Sequence, residues 1–207
     1  MRWVYVCLAV GLLLVVAPAG ALVPDGITIN TSSDWLTAGS GETATVTVQV
    51  TNSTSGNTSF EGVEVELAVD GEYGSISPGC VELDSSGRAA ATFRPGTRSG
   101  TAEITATVLC DEMDEPLVGS GYQKIDHATP YRIANIWYSP RVTAGGTTDI
   151  TVQMADRYGN IVDDRREAEA VKFMVGSPGG RATFDGGTDE ITKSVDESGN
   201  ATVTLKV

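Results

Sequence analysis

The strongest constraint in this chain is a period of two, and it occurs twice. Glu42 to Thr51 reads ETATVTVQVT, with Ala44, Val46, Val48 and Val50 on one side and Thr43, Thr45, Thr47 and Gln49 on the other. Such alternation describes a strand with one buried and one wet face, the habit of antiparallel sheets. Val63, Val65, Leu67 and Val69 repeat the device, as do Ala89, Ala91 and Phe93, and then Ala102, Ile104, Ala106 and Val108. Weaker strand signals lie at Gly26–Asn30, Tyr73–Ile76 and Cys80–Asp84, and turn clusters such as Asp84-Ser85-Ser86-Gly87 separate them. No segment sustains a 3.6-residue period, and the charged run Asp164–Ala170 is too short to stand as a helix. Seven short strands in about 100 residues indicate a β-sandwich.

The pattern then returns. Thr37-Ala38-Gly39 recurs as Thr143-Ala144-Gly145, TVQV at 47–50 as TVQM at 151–154, and VEVELAV at 63–69 as AVKFMV at 170–175. DSSGRAAATF at 84–93 recurs as DESGNATVTL at 196–205. The spacing implies a tandem repeat of about 105 residues, with units at 22–126 and 127–207 and a short junction around Asp126–Tyr131. The expected core of the first unit is Ala44, Val46, Val48, Val50, Val63, Val65, Leu67, Ala91, Phe93, Ile104 and Val108. In the second it is Ile150, Val152, Met154, Phe173, Val175, Val203 and Leu205. The strand Thr101–Leu109 has no counterpart before Val207, so the second sandwich is expected to be incomplete by one strand. A partial sequence accounts for that, and so does a strand donated by a partner.

Residues 1–21 read as a signal peptide. Arg2 precedes the apolar run Trp3–Ala17, and Pro18 and Ala19-Gly20-Ala21 supply a cleavage site. The alternative is an uncleaved anchor, the one route by which this chain would engage a membrane. Export removes Cys7 and leaves Cys80 and Cys110, an even pair in an oxidising compartment, for which a disulfide is expected over two free thiols. Closing that interval adds about 3–4 kcal/mol on chain-entropy grounds. The chain carries 27 acidic and 14 basic residues, a net charge of −13, which excludes nucleic acid as a partner. Residues 22–126 hold 16 acids and 4 bases, so the charge belongs mostly to the first unit. A single histidine, His127, leaves little room for imidazole catalysis and reads as structural.

The run Asp156-Arg-Tyr-Gly-Asn-Ile-Val162, the apolar strand at 171–175 and Asp196-Glu-Ser-Gly-Asn-Ala-Thr-Val-Thr-Leu205 resemble the bacterial Ig-like type 1 domain, the stalk module of invasin- and intimin-like surface proteins. The first repeat matches through 38–50, 63–78 and 84–108, although its loop 51–60 replaces the D-x-x-G-N turn. The resemblance implies an all-β fold of tandem Ig-like antiparallel β-sandwiches. It also implies a secreted or cell-surface protein acting as a structural stalk or adhesion module, without catalysis or cofactor. Its partners would be other surface proteins or glycans.

Four sequons, at Asn30, Asn52, Asn57 and Asn200, suit glycan shielding of such a surface, or are ordinary turn asparagines. The acidic run Asp111–Glu115 lacks the spacing of a calcium loop and reads as a solvated hairpin tip. Asp163-Asp164 followed by Arg165-Arg166 reads as a self-neutralising loop. Trp35, Trp137 and Tyr138 keep a second function open, a carbohydrate-binding module of an exported protein or enzyme. That reading expects the three rings in one exposed, coplanar row.

Overall fold

The computed structural model describes residues 23–56, 58–109, 115–176 and 182–207. It is all β, with fifteen strands numbered here in chain order. The first nine are β1 (Gly26–Thr31), β2 (Trp35–Thr37), β3 (Ala44–Thr51), β4 (Glu64–Val69), β5 (Gly74–Ser77), β6 (Cys80–Glu82), β7 (Arg88–Pro95), β8 (Gly100–Leu109) and β9 (Leu117–Asp126). They form a four-stranded sheet in the order β1-β3-β7-β5 and a five-stranded sheet in the order β2-β9-β8-β4-β6. All pairings are antiparallel except β2 with β9.

The period-two residues point where their alternation requires. Val46, Val48 and Val50 of β3, Val65 of β4, Phe93 of β7, and Ile104 and Val108 of β8 are wholly buried between the two sheets. Each such side chain contributes roughly 1.5–3 kcal/mol of burial. Val63, expected in the core, is only half-buried, because it precedes β4 and packs on the core's edge. Asp84 and Gly87 form the turn that carries the chain from β6 in one sheet to β7 in the other. The Asp84 carboxylate accepts the Ser86 and Arg88 N–H groups, and Gly87 adopts φ 71°, a conformation that favours glycine.

β9 was not foreseen. It pairs with β8 from Gly100 to Val108, and two of its inward positions, 119 and 121, are glycine. Their role is steric. A Cβ on Gly121 would lie 2.7 Å from Ile29 Cβ, and one on Gly119 would lie 2.8 Å from Ile27 Cβ. The glycines let β9 approach β1 closely, so the isoleucines of the opposite sheet fill the space their side chains would take.

The remaining strands are β10 (Pro130–Tyr138), β11 (Thr147–Asp156), β12 (Ala170–Met174), β13 (Thr183–Phe184), β14 (Glu190–Ser194) and β15 (Asn200–Lys206). They form a four-stranded sheet, β10-β11-β15-β13, facing a two-stranded sheet, β12-β14. By position, β11 matches β3, β12 matches β4 and β15 matches β7. Val152, Phe173, Phe184, Val195, Ala201 and Val203 form the core, with Phe173 and Phe184 edge to face at 6.3 Å. Ile150, Met154, Val175 and Leu205, expected to be buried, are half-buried at the rim of this core. The reason is coverage: two strands oppose four here, where five oppose four in the first sandwich. For the same reason Ile133 and Ile136 on β10 remain about half exposed, while Ile27 and Ile29 on β1 have β9 over them.

Candidate functional site

The densest polar arrangement lies where the two sandwiches meet, and the turn Asp156-Arg157-Tyr158-Gly159-Asn160 builds it. Asp156 is wholly buried. Its Oδ1 accepts the N–H groups of Tyr158 and Asn160 at 2.8 and 2.9 Å, which closes the turn over Gly159 at φ 94°. Its Oδ2 accepts the Ala128 N–H from the connecting segment at 2.9 Å and the Asn160 side-chain N–H at 2.8 Å. Asn160 then crosses to the first sandwich. Its Nδ2 donates to Thr97 O at 2.8 Å, and its Oδ1 accepts the Ser99 N–H at 2.9 Å. Tyr158 lies against Gly39, where a Cβ would overlap the phenol ring. One short turn thus fastens its own sandwich, the connection and the neighbouring sandwich.

Beside it lies a cleft lined by Thr37, Asp126, His127, Arg166, Glu167 and Glu169, among others, of about 230 Å³. His127 is buried. Its Nδ1 lies 2.8 Å from Ala128 O and its Nε2 3.1 Å from Asp163 O. Asp126 Oδ1 accepts the His127 backbone N–H and stands 3.7 Å from Nε2. Asp163 binds Arg165 through its backbone N–H and through a 2.6 Å ion pair. Arg166 does not join that loop-internal neutralisation. It reaches Thr37 Oγ1 at 3.1 Å and approaches Asp126 at 3.8 Å, both in the first sandwich.

These contacts set the titration. Burial opposes the His127 charge, yet the carbonyls of Ala128 and Asp163 and the carboxylates of Asp126 and Asp163 raise its pKa above the ordinary imidazole value. Burial likewise would raise the Asp163 carboxyl, but the Arg165 hydrogen bonds, with the Arg165 and His127 charges, hold it below the usual carboxylate range. Ligating atoms of Asp126, His127 and Asp163 come within 4.8 Å of one another. The set is poorly suited to a cation, because both ring nitrogens face carbonyl oxygens and the Asp163 carboxylate already holds a guanidinium.

The other expected site residues are dispersed. Cys80 is an exposed thiol on β6 with no disulfide among the described residues, and its expected partner Cys110 lies outside them. Asn30 is exposed on β1. The Asn52 amide is engaged, donating to Val23 O at 2.6 Å and accepting the Ser55 N–H at 2.9 Å. Asn200 opens β15 and is half-buried; Asn57, the acidic residues 111–114 and the segment 1–21 lie outside the described residues.

The three rings do not form a row. Trp35 is half-buried on β2 with the Lys124 ammonium 5.3 Å from its centroid, while Trp137 and Tyr138 are neighbours on β10 and so face opposite sides of it. Sequence reasoning missed the partners of His127. The signal was present in the lone histidine beside Asp126, but Asp163 is 36 residues away.

No family model matches the sequence, and no curated protein does. Solved structures do match. The adhesin InvE of Yersinia pseudotuberculosis aligns at 19% identity over 87% of this chain and 51% of its own, with a TM-score of 0.42. The adhesin FdeC of Escherichia coli aligns at 20% identity over 87% of this chain and 55% of its own, with a TM-score of 0.44. A β-glucuronidase of Parabacteroides merdae aligns at 16% identity over 88% of this chain but only 21% of its own, with a TM-score of 0.32. The chain spans about half the length of the two adhesin chains. With domains of intimin and invasin also among the matches, the structures this chain is similar to include adhesins of the invasin and intimin type, the resemblance read from its D-x-x-G-N turn.

Proposed function

We propose that the chain is an exported, non-catalytic surface protein in which two Ig-like modules, 22–126 and 127–207, follow a signal peptide at 1–21 and act as a stalk or adhesion element. The observation that carries this reading is the junction. Asp156, Asn160 and Arg166 commit their polar groups to joining the two sandwiches, as a spacer that transmits load requires. The strong negative charge of the first module suits an exposed, soluble surface. Other surface proteins or glycans are the fitting partners. Among the sequons in the described residues, Asn30 is best placed for a glycan, since it is exposed on β1 while the Asn52 amide is occupied and Asn200 is half-buried.

Labelling intact producing cells with a membrane-impermeant amine reagent tests the reading. Modification of the chain on whole cells, with its amino terminus at residue 22, is the expected result. Protection until lysis would overturn it. The carbohydrate-binding alternative is weaker, because Trp137 and Tyr138 present opposite faces.

A further inference from the structure

Both ring nitrogens of His127 face oxygens that can only accept. Nδ1 is 2.8 Å from Ala128 O and Nε2 is 3.1 Å from Asp163 O. A neutral imidazole carries one N–H and one lone pair, so it satisfies one of these carbonyls and turns a lone pair on the other. Only the imidazolium donates to both. The mismatch in the neutral form would fall in a buried place, where an unmade hydrogen bond is most costly.

The two contacts belong to different bodies. His127 is held to the first sandwich through Asp126, whose backbone pairs with Thr37 and accepts the Ala38 N–H. Asp163 is held to the second, since Val162 donates its N–H to Met154 O on β11. The Nε2 bond therefore spans the junction. The charged groups around it favour a cation. Asp126 and Asp163 stand against the ring, Asp156 holds the adjoining Ala128 N–H, and Glu167 and Glu169 line the cleft, against the guanidiniums of Arg165 and Arg166.

We propose that His127 is a proton-operated lock on the junction: as imidazolium it bridges the two sandwiches, and on losing a proton it releases Asp163 and loosens them. The Nε2 contact is the one released. Nδ1 makes the shorter bond to an adjacent residue, while Nε2 makes the longer bond to a separate loop. The sign follows from the raised pKa. The lock is closed below the ordinary imidazole value, about 6.5, stays closed somewhat above it, and opens as pH climbs through the folded value. This holds whatever the surface binds.

His127 is the sole histidine, so its ring signals need no assignment. The test is a two-dimensional ¹⁵N–¹H titration of the ring in residues 22–207 from pH 5.5 to 9.5. Amide shifts at Asp163–Arg165 and the rotational correlation times of the two sandwiches are followed in parallel. At pH 6.5 both ring nitrogens should show protonated shifts. Above the ring's midpoint the Asp163–Arg165 amides should move, and the common correlation time should split into two shorter ones with the same midpoint. His127→Gln, which cannot titrate, should lose that midpoint. A ring already neutral at pH 6.5 would overturn the proposal. So would a titration of the wild-type chain that leaves the loop amides and the tumbling unchanged, a readout that does not depend on the variant folding.

Discussion

Asn160→Ala removes three side-chain hydrogen bonds and little packing. Two of them, to Thr97 O at 2.8 Å and from the Ser99 N–H at 2.9 Å, cross the junction, and the third goes to Asp156 Oδ2 at 2.8 Å. At about 0.5–1.5 kcal/mol net each, the loss lies between about 1.5 and 4.5 kcal/mol. The site is partly open, so water replaces some of what is lost, and about 1.5–3 kcal/mol is the expected range. Asn135 supplies the control. Its side chain makes one exposed bond, to Gln153 Oε1 at 2.9 Å, and Asn135→Ala should cost under about 0.5 kcal/mol. Urea unfolding of residues 22–207 gives the readout, because Trp35 reports on the first sandwich and Trp137 on the second. Keeping one tryptophan at a time, with phenylalanine at the other, separates the two transitions. In the parent chain the transitions should overlap, and Asn160→Ala should part them. Equal effects of the two alanines, or overlap that survives Asn160→Ala, would refute the reading of this turn as the tie between the sandwiches.

Val65 is wholly buried and Thr47 half-buried with its side chain outward, so Val65→Ala should cost about 1–3 kcal/mol and Thr47→Ala under about 0.5 by chemical denaturation. Gly121→Ala places a methyl 2.7 Å from Ile29 Cβ and should cost about 1–3 kcal/mol by overpacking; a neutral result would mean the sheets are not so closely apposed at β1 and β9. The Asp163 carboxyl is held below its ordinary value, so its contribution is present above about pH 3.9 and disappears as pH falls through the folded value. Asp163→Asn should flatten that acid limb in a melting-temperature series, and an unchanged limb would assign acid sensitivity elsewhere.

What could be read from the sequence was what repeats locally. β3, β4, β7 and β8 each carry several alternating apolar residues, and their facing follows from a two-residue period alone. β9 defeated the same reasoning because two of its inward positions are glycine, and the apolar atoms that occupy those places belong to Ile27 and Ile29, about 90 residues earlier. β10 defeated it differently. Ile133, Ile136, Trp137 and Tyr138 put large apolar groups on both faces, so no alternation survives. His127 was set aside for want of a partner in sequence, and its partners are backbone carbonyls, which no side-chain motif can announce.

The same local device serves three places in this chain, and comparing them shows how a turn becomes a joint. Asp84, Asp156 and Asp196 each accept backbone N–H groups two and four residues on, around a glycine with φ between 71° and 94°. At Asp84 and Asp196 the next strand follows at once, and the turn does no more than carry the chain from one sheet to the other. At Asp156 the carboxylate is wholly buried and its second oxygen is also used, by Ala128 of the connecting segment. The residue four on differs as well. Arg88 turns to Gln49 within its own sheet, and Asn200 begins a strand, but Asn160 extends across to Thr97 and Ser99. A short amide supplies a donor and an acceptor at fixed separation, so it reads two backbone groups of the neighbouring sandwich at once, which a lysine or an alanine could not do. The D-x-x-G-N pattern and its asparagine recur at Asp196–Asn200, so what distinguishes the joint is the burial of Asp156, the use of its second oxygen by Ala128, and an asparagine side chain that extends to the neighbouring sandwich.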